Sequence, residues 1–359
     1  MSNEEAEQAT EEEEAVKELF HRLEDAQSLV NQARTVKSAE ALHDIVSTAE
    51  EGTVRNVLLD VLSERFAAPS VEIVGDHADF HNLATVAVMD NNYELSLEIV
   101  KRGLELCRLH PVLVGDGINA LKGLGRFEDA VLDGLKYWRK IAPLTFASDW
   151  RPAVFVKDSI KEIDPSFSIA VPARFHRLLP DEMVKAGAIW GDVAEALLRT
   201  VMDHRPDHVK VWYESADVQR AQGRWEDAAA TLQEGLRLNS GSQQLRYALG
   251  QLYLEHLGSV PADRLEEVLD EATGALEASL LVDYQEQFQS DVSQVAILLR
   301  LAQAYELRAL LLKDGAAAVK AQGVYETLAE EERHFGNYAS NRLRHLRTYI
   351  QVTSGLGDR

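Results

Sequence analysis

Cysteine is nearly absent from this 359-residue chain, where Cys107 stands alone. A single thiol builds neither an internal disulfide nor a cysteine metal cage, so a reducing compartment is expected. No stretch approaches the roughly 18 apolar residues that a membrane helix needs. The opening MSNEEAEQATEEEEAV carries no basic flank and no apolar run of the signal-peptide kind. A cytoplasmic protein without membrane insertion is therefore expected. Basic residues are also scarce, 37 against 59 acids, for a net charge of −22. That field repels nucleic acid and anionic lipid from most of the surface, and nucleic acid is disfavoured as a partner.

Reaction motifs are missing as well. The sequence holds no G-x-x-x-x-G-K-[ST] phosphate loop, G-x-S-x-G elbow, H-E-x-x-H zinc helix or acidic calcium loop. Gly115-Asp116-Gly117 falls inside a predicted helix with no strand before it, which excludes a dinucleotide fingerprint. No cofactor and no metal is expected, and the protein is read as a non-enzyme. His77 and His81 share a helix face at i, i+4, but no third ligand accompanies them, and Asp76 and Asp79 read as acids of a first helical turn. Cys107 reads as a buried, inert thiol.

What is present is helix. Only 9 prolines interrupt long tracts of Ala, Leu, Glu, Gln and Arg. In 209–239, Trp212, Ala216, Ala228, Leu232 and Leu236 fall at helical spacing in two runs. Gly223 lies between the runs, where a left-handed residue would close the first helix. Such a hairpin of about 34 residues cannot cover its own apolar face and should recur.

It does recur. Ala216 and Gly250 are 34 residues apart, each a small residue where two helices must approach closely. Gly125-Arg126-Phe127-Glu128-Asp129-Ala130 nearly duplicates Gly223-Arg224-Trp225-Glu226-Asp227-Ala228, and Asn92 to Ser96 holds the equivalent turn one repeat earlier. Trp212, then Leu249, Gly250 and Tyr253, then Leu301, Ala302 and Tyr305, follow the W…L-G-x-x-Y pattern. On these residues the chain resembles the tetratricopeptide-repeat family.

Repeats are marked at 77–110, 111–144, 209–242, 243–290 and 295–330. The fold expected is all-α, an α-solenoid of tetratricopeptide-like hairpins in a right-handed superhelix with a non-repeat insertion near 145–180. The domains read as a disordered acidic tail over 1–14, an N-terminal helical array over 15–144 and a proline-containing insertion over 145–180. A C-terminal array over 181–330 and a basic capping helix and tail over 331–359 complete the chain. One helix is expected over 181–203.

The resemblance implies a scaffold or adaptor that holds a partner protein or peptide in the groove lined by the first helices of the hairpins. Groove candidates by spacing are His81, Thr85, Asn119, Lys122, Lys210, Tyr213, Asp217, Arg220, Tyr247 and Gln251, positions that could equally be plain solvated surface. Tyr213, Asp217, Tyr247 and Gln251 stand where chaperone-binding members carry a lysine–asparagine carboxylate clamp, so a chaperone tail is not expected. A second candidate surface is the basic patch Arg333, Arg342, Arg344 and Arg347, which could instead belong to a plain capping helix. Two alternative readings stay open: a regulatory module binding a small ligand between the two arrays, and a self-assembling homo-oligomer.

Overall fold

The computed structural model describes residues 22–49, 52–68, 70–141, 143–281, 292–331 and 336–356; the acidic stretch 1–14 and Arg333 lie outside them. By its internal contacts the chain divides into two units, Met1–Pro165 with Ile169–Trp190, and Ser166–Ser168 with Gly191–Arg359. Each is built from helices, and β pairing among the described residues is confined to isolated bridges at Ser38–Val74 and Ala170–Ile189.

The first unit runs through a helix at 22–35 (α1), α2 (Ala39–Thr48), α3 (Thr53–Ala67), α4 (His77–Met89), α5 (Tyr93–Leu106), α6 (Pro111–Gly123) and α7 (Phe127–Lys136). Four short or medium helices follow: α8 (Pro143–Ala147), α9 (Arg151–Ile163), α10 (Ala173–His176) and α11 (Asp181–Ala186). The second unit takes up α12 (Trp190–His204) and continues with α13 (Val209–Ala221), α14 (Trp225–Leu238), α15 (Gln243–His256) and α16 (Leu265–Leu280). It ends on α17 (Gln294–Leu312), α18 (Gly315–Glu331) and α19 (Gly336–Leu356).

The duplicated hexapeptides fold alike. Gly125 at φ 69° and Gly223 at φ 76° close α6 and α13 in the left-handed region, and Asn91 at φ 57° closes α4 at the matching place. Asparagine is among the few side-chain-bearing residues that tolerate this conformation, which is why the turn persists without glycine. In all three turns the next amide reaches back to the helix: Asn92 to Ala87, Arg126 to Leu121 and Arg224 to Gln219, at 2.8, 2.9 and 2.9 Å.

Packing follows the hairpins. In the first unit α4 packs on α5, α5 on α6 and α6 on α7, while the first helices α4 and α6 also touch each other. The segment before them joins the same scheme, with α2 on α4 and α3 on α5. In the second unit each helix from α13 to α19 packs on the next, and the first helices meet as α13 on α15 and α15 on α17. Leu42, Leu58, Leu62, Phe80, Leu83 and Ile99 fill a core through the first of these stacks, and Ile297, Ala302, Tyr325 and Leu346 lie in another under α17 to α19.

Two expectations need correction. Residues 145–180, read as a proline-containing insertion outside the repeats, hold α9, a 13-residue helix packed on α6 and α7 where a further first helix would go. Its Pro152 sits in the first turn, where the missing N–H costs nothing, so the proline starts a helix instead of ending one. The single helix expected over 181–203 is two, because Gly187 turns left-handed at φ 74° between α11 and α12. The β-branched run Ser168 to Val171 makes one bridge to the chain before α12, with the Trp190 amide donating to the Ile169 carbonyl at 3.0 Å.

Candidate functional site

Helical spacing puts Tyr213, Asp217 and Arg220 on one face of α13, and Ala248, Gln251, Leu252 and Glu255 on one face of α15. These residues, with Ala216 and Leu232, line a shallow cleft open to solvent. Its floor is apolar, since Ala216, Leu232, Ala248 and Leu252 are all buried. Its rim is a chain of polar bonds. Arg220 donates to Asp217 at 2.7 Å and to Glu255 at 3.0 Å, and the Gln251 amide donates to the other oxygen of Glu255 at 2.6 Å.

The charges of the cleft settle one another. Burial opposes the charge on Arg220, yet its bonds to Asp217 and Glu255 win and raise its pKa above the ordinary value. Burial, with Asp217 second, pushes the Tyr213 hydroxyl up, so it stays protonated. Lys210 stands 5.6 Å above the Tyr213 ring and pairs with Glu214 at 3.2 Å. Tyr247 does not reach this cleft; it packs against the apolar cluster that includes Leu276 and Leu301.

Glu255 also borders a wider cleft of about 670 Å³, with Leu254, Arg300, Gln303, Glu306, Leu307, Tyr338 and Arg342. The face of first helices therefore carries polar side chains from α13 through α15 and α17 to α19. Glu255, Arg300, Gln303 and Tyr338 were not among the sequence candidates. The signal that could have found them is their separation: Arg220 and Glu255 are 35 residues apart, and so are Gln303 and Tyr338.

The candidates of the first unit are occupied in the same way. His81 Nδ1 lies 2.7 Å from Asp116, 35 residues on, and Lys122 donates to Asp158, 36 residues on, at 3.1 Å while covering the Phe155 ring at 5.1 Å. These pairs tie α4 to α6 and α6 to α9. Thr85 is exposed and Asn119 half-buried. His77 stacks on His110, ring centroids 3.8 Å apart, while Asp76 caps α4 through a reciprocal pair of bonds with Asp79. Burial, then the charges of Asp76 and Asp79, raise the Cys107 thiol.

The histidine stack gives the first unit a pH dependence. Burial first, and His77 second, lower the pKa of His110 below 6.5, against the opposing pull of Asp149, Asp116 and Asp76. A histidine with a depressed folded pKa contributes stability above its unfolded value, and that contribution is lost as pH falls through 6.5 toward the depressed one. Denaturant midpoints should therefore fall from about pH 7 to about pH 5. His110→Phe keeps the stack and removes the titration, so its profile should be flatter. Parallel profiles for the two proteins would contradict the assignment.

The basic patch divides among ion pairs. Arg342 holds Glu306 with two bonds, one of them from Nε at 3.0 Å, and Arg347 pairs with Glu326 at 3.0 Å. Arg344 is exposed on α19. Arg342 and Arg347 fasten the last helix to the array.

Residues 191–252, from α12 into α15, match the tetratricopeptide repeat family. No curated protein matches the chain. Among solved structures it is similar to TTC0263, a thermophilic TPR protein of Thermus thermophilus, at 18% identity over 63% of this chain and 97% of that one, with a TM-score of 0.39. It is also similar to MamA of Desulfovibrio magneticus, at 15% identity over 61% and 99% of the two chains, TM-score 0.37. A human IFIT1 dimer with m7Gppp-AAAA is similar at 13% identity over 83% and 64%, TM-score 0.38. Among the described residues no helix is long and apolar enough to cross a membrane. With the matched segment in its second unit and hairpins of the same design in both, this chain is a helical-repeat protein of the tetratricopeptide type.

Proposed function

We propose that the chain is a non-catalytic adaptor that holds a partner protein on the first-helix face of its second unit, at the cleft between α13 and α15. The observation that carries this reading is the convergence of Tyr213, Asp217, Arg220 and Gln251 on one apolar-floored cleft. A floor of Ala216, Ala248 and Leu252 gives an inserted side chain an apolar contact, and the bonded rim fixes its position at little entropic cost. The acids of the rim are held by Arg220, and the raised thiol of Cys107 is a poor nucleophile, so binding without chemistry is the simpler account.

The experiment is affinity capture from the native lysate with the wild-type chain beside Tyr213→Ala/Gln251→Ala. Both positions are half-buried, so the variant should keep its fold. A partner recovered in stoichiometric amount and lost from the variant supports the reading. Equal recovery from both refutes it.

A further inference from the structure

We infer that the α13–α15 cleft takes a single aromatic side chain from a basic segment of the partner polypeptide. This rests on the adaptor reading and adds the chemistry of the occupant.

The argument starts from Arg220. Each of its two terminal nitrogens gives an N–H to a carboxylate, one to Asp217 at 2.7 Å and the other to Glu255 at 3.0 Å. A guanidinium paired with two carboxylates is charge-compensated toward a ligand anion, and it still presents its flat face. That side chain is still 41% exposed, and among the described residues no aromatic ring stacks on it. Weakly hydrated, planar and charge-neutralised, it suits an aromatic ring laid against it. Two turns back along α13 stands Tyr213, and beneath lie Ala216, Leu232, Ala248 and Leu252, a floor of two small and two aliphatic residues. The half-exposed guanidinium beside a dry floor favours a planar occupant over a branched aliphatic one.

Charge selects what flanks the ring. The cleft lining contains two carboxylates, Asp217 and Glu255, and one cation, Arg220, an excess of one negative charge. The whole chain stands at −22. A lysine or arginine beside the aromatic residue is attracted, and an acidic neighbour is repelled. The same excess opposes a nucleic-acid base stacked on Arg220, because its phosphates would approach Asp217 and Glu255.

The test uses short fluorescein-labelled peptides on the full chain, read by anisotropy. One probe has a central phenylalanine flanked by lysines. The others replace phenylalanine by leucine or alanine, or lysine by glutamate, and an oligoadenylate is added as competitor. The Phe–Lys peptide should bind, and leucine, alanine or glutamate should each weaken it about tenfold or more. Arg220→Lys keeps the charge but removes the flat face and should weaken binding about as much. Ala248→Leu, which fills the floor, serves as a second variant should the first disturb the fold.

Equal affinity for the leucine peptide, preference for the glutamate peptide or displacement by oligoadenylate would each overturn this inference. If no peptide binds while capture still depends on Tyr213 and Gln251, this inference fails and the adaptor reading stands. If no peptide binds and capture is indifferent to those residues, both fall.

Discussion

Replacing Glu306 with alanine is expected to lower stability by about 2 kcal/mol, the range for removing the acceptor of a buried hydroxyl and of a half-buried charged donor. Glu306 is 4% exposed and sits on α17 between two partners from different helices. Tyr325 of α18 donates to it at 3.0 Å, and Arg342 of α19 grips both its oxygens. Its removal leaves the buried Tyr325 hydroxyl and a partly exposed guanidinium without their acceptor, and the desolvation cost of the hydroxyl is then unrelieved. The bonds to Glu306 raise Arg342 above the ordinary arginine range and help to push the already buried Tyr325 upward, so all three groups feel the loss.

A double-mutant cycle with Arg342→Ala separates the pair from simple truncation. Denaturant unfolding should show strong coupling, the double variant losing far less than the sum of the single ones. Hydrogen exchange should rise first in α19, which this triad fastens to the array. Additive losses would show that Glu306 and Arg342 act independently and that α19 is held by its apolar face alone.

The second large effect comes from two glycines within contact range of the same hairpin. A Cβ at Gly250 would lie 2.6 Å from the Leu276 side chain and 3.1 Å from the Ala272 carbonyl oxygen, so α15 and α16 approach there only because a side chain is missing. A Cβ at Gly274 would meet nothing within 4 Å. Gly250→Val should therefore cost about 3 kcal/mol through overpacking and loss of that approach. Gly274→Ala, in the interior of α16, should raise stability by about 0.5–1 kcal/mol through helix propensity alone. Thermal unfolding of the two variants decides it. Opposite signs support a close α15–α16 contact, and a Gly250→Val protein as stable as the wild type would exclude it.

The hairpins were legible because their constraints are local and repeat. Only a left-handed residue closes α6 or α13, and only a small one admits α16 beside Gly250, so glycine and its spacing announce both. The α2–α3 pair carries no signature residue, since Leu42, Leu58 and Leu62 make its core from ordinary leucines. The α9 helix was hidden for another reason. Four prolines between 152 and 180 read as breakers, while Pro152 stands in a first turn and Pro172 and Pro180 immediately precede α10 and α11, places a helix tolerates.

The candidate face was legible in part. Spacing put Tyr213, Asp217, Arg220 and Gln251 together, because residues at i, i+4 and i+7 share a helix face. It did not show which of them hold a neighbour. His81 with Asp116, Lys122 with Asp158, Arg220 with Glu255 and Arg342 with Glu306 are pairs 35 or 36 residues apart. Each joins successive first helices, so a polar residue that looks free on one helix is held by the next. Tyr247 differs in kind, a half-buried tyrosine at groove spacing that packs against the apolar cluster of Leu276 and Leu301.

The measurement that bears most directly on the account is capture of the partner by the wild-type chain and by Tyr213→Ala/Gln251→Ala, at equal concentration and equal helical content. The account predicts a partner bound one to one by the wild type and reduced about tenfold or more in the variant. The same partner recovered equally by both proteins would place its binding elsewhere and contradict the central claim.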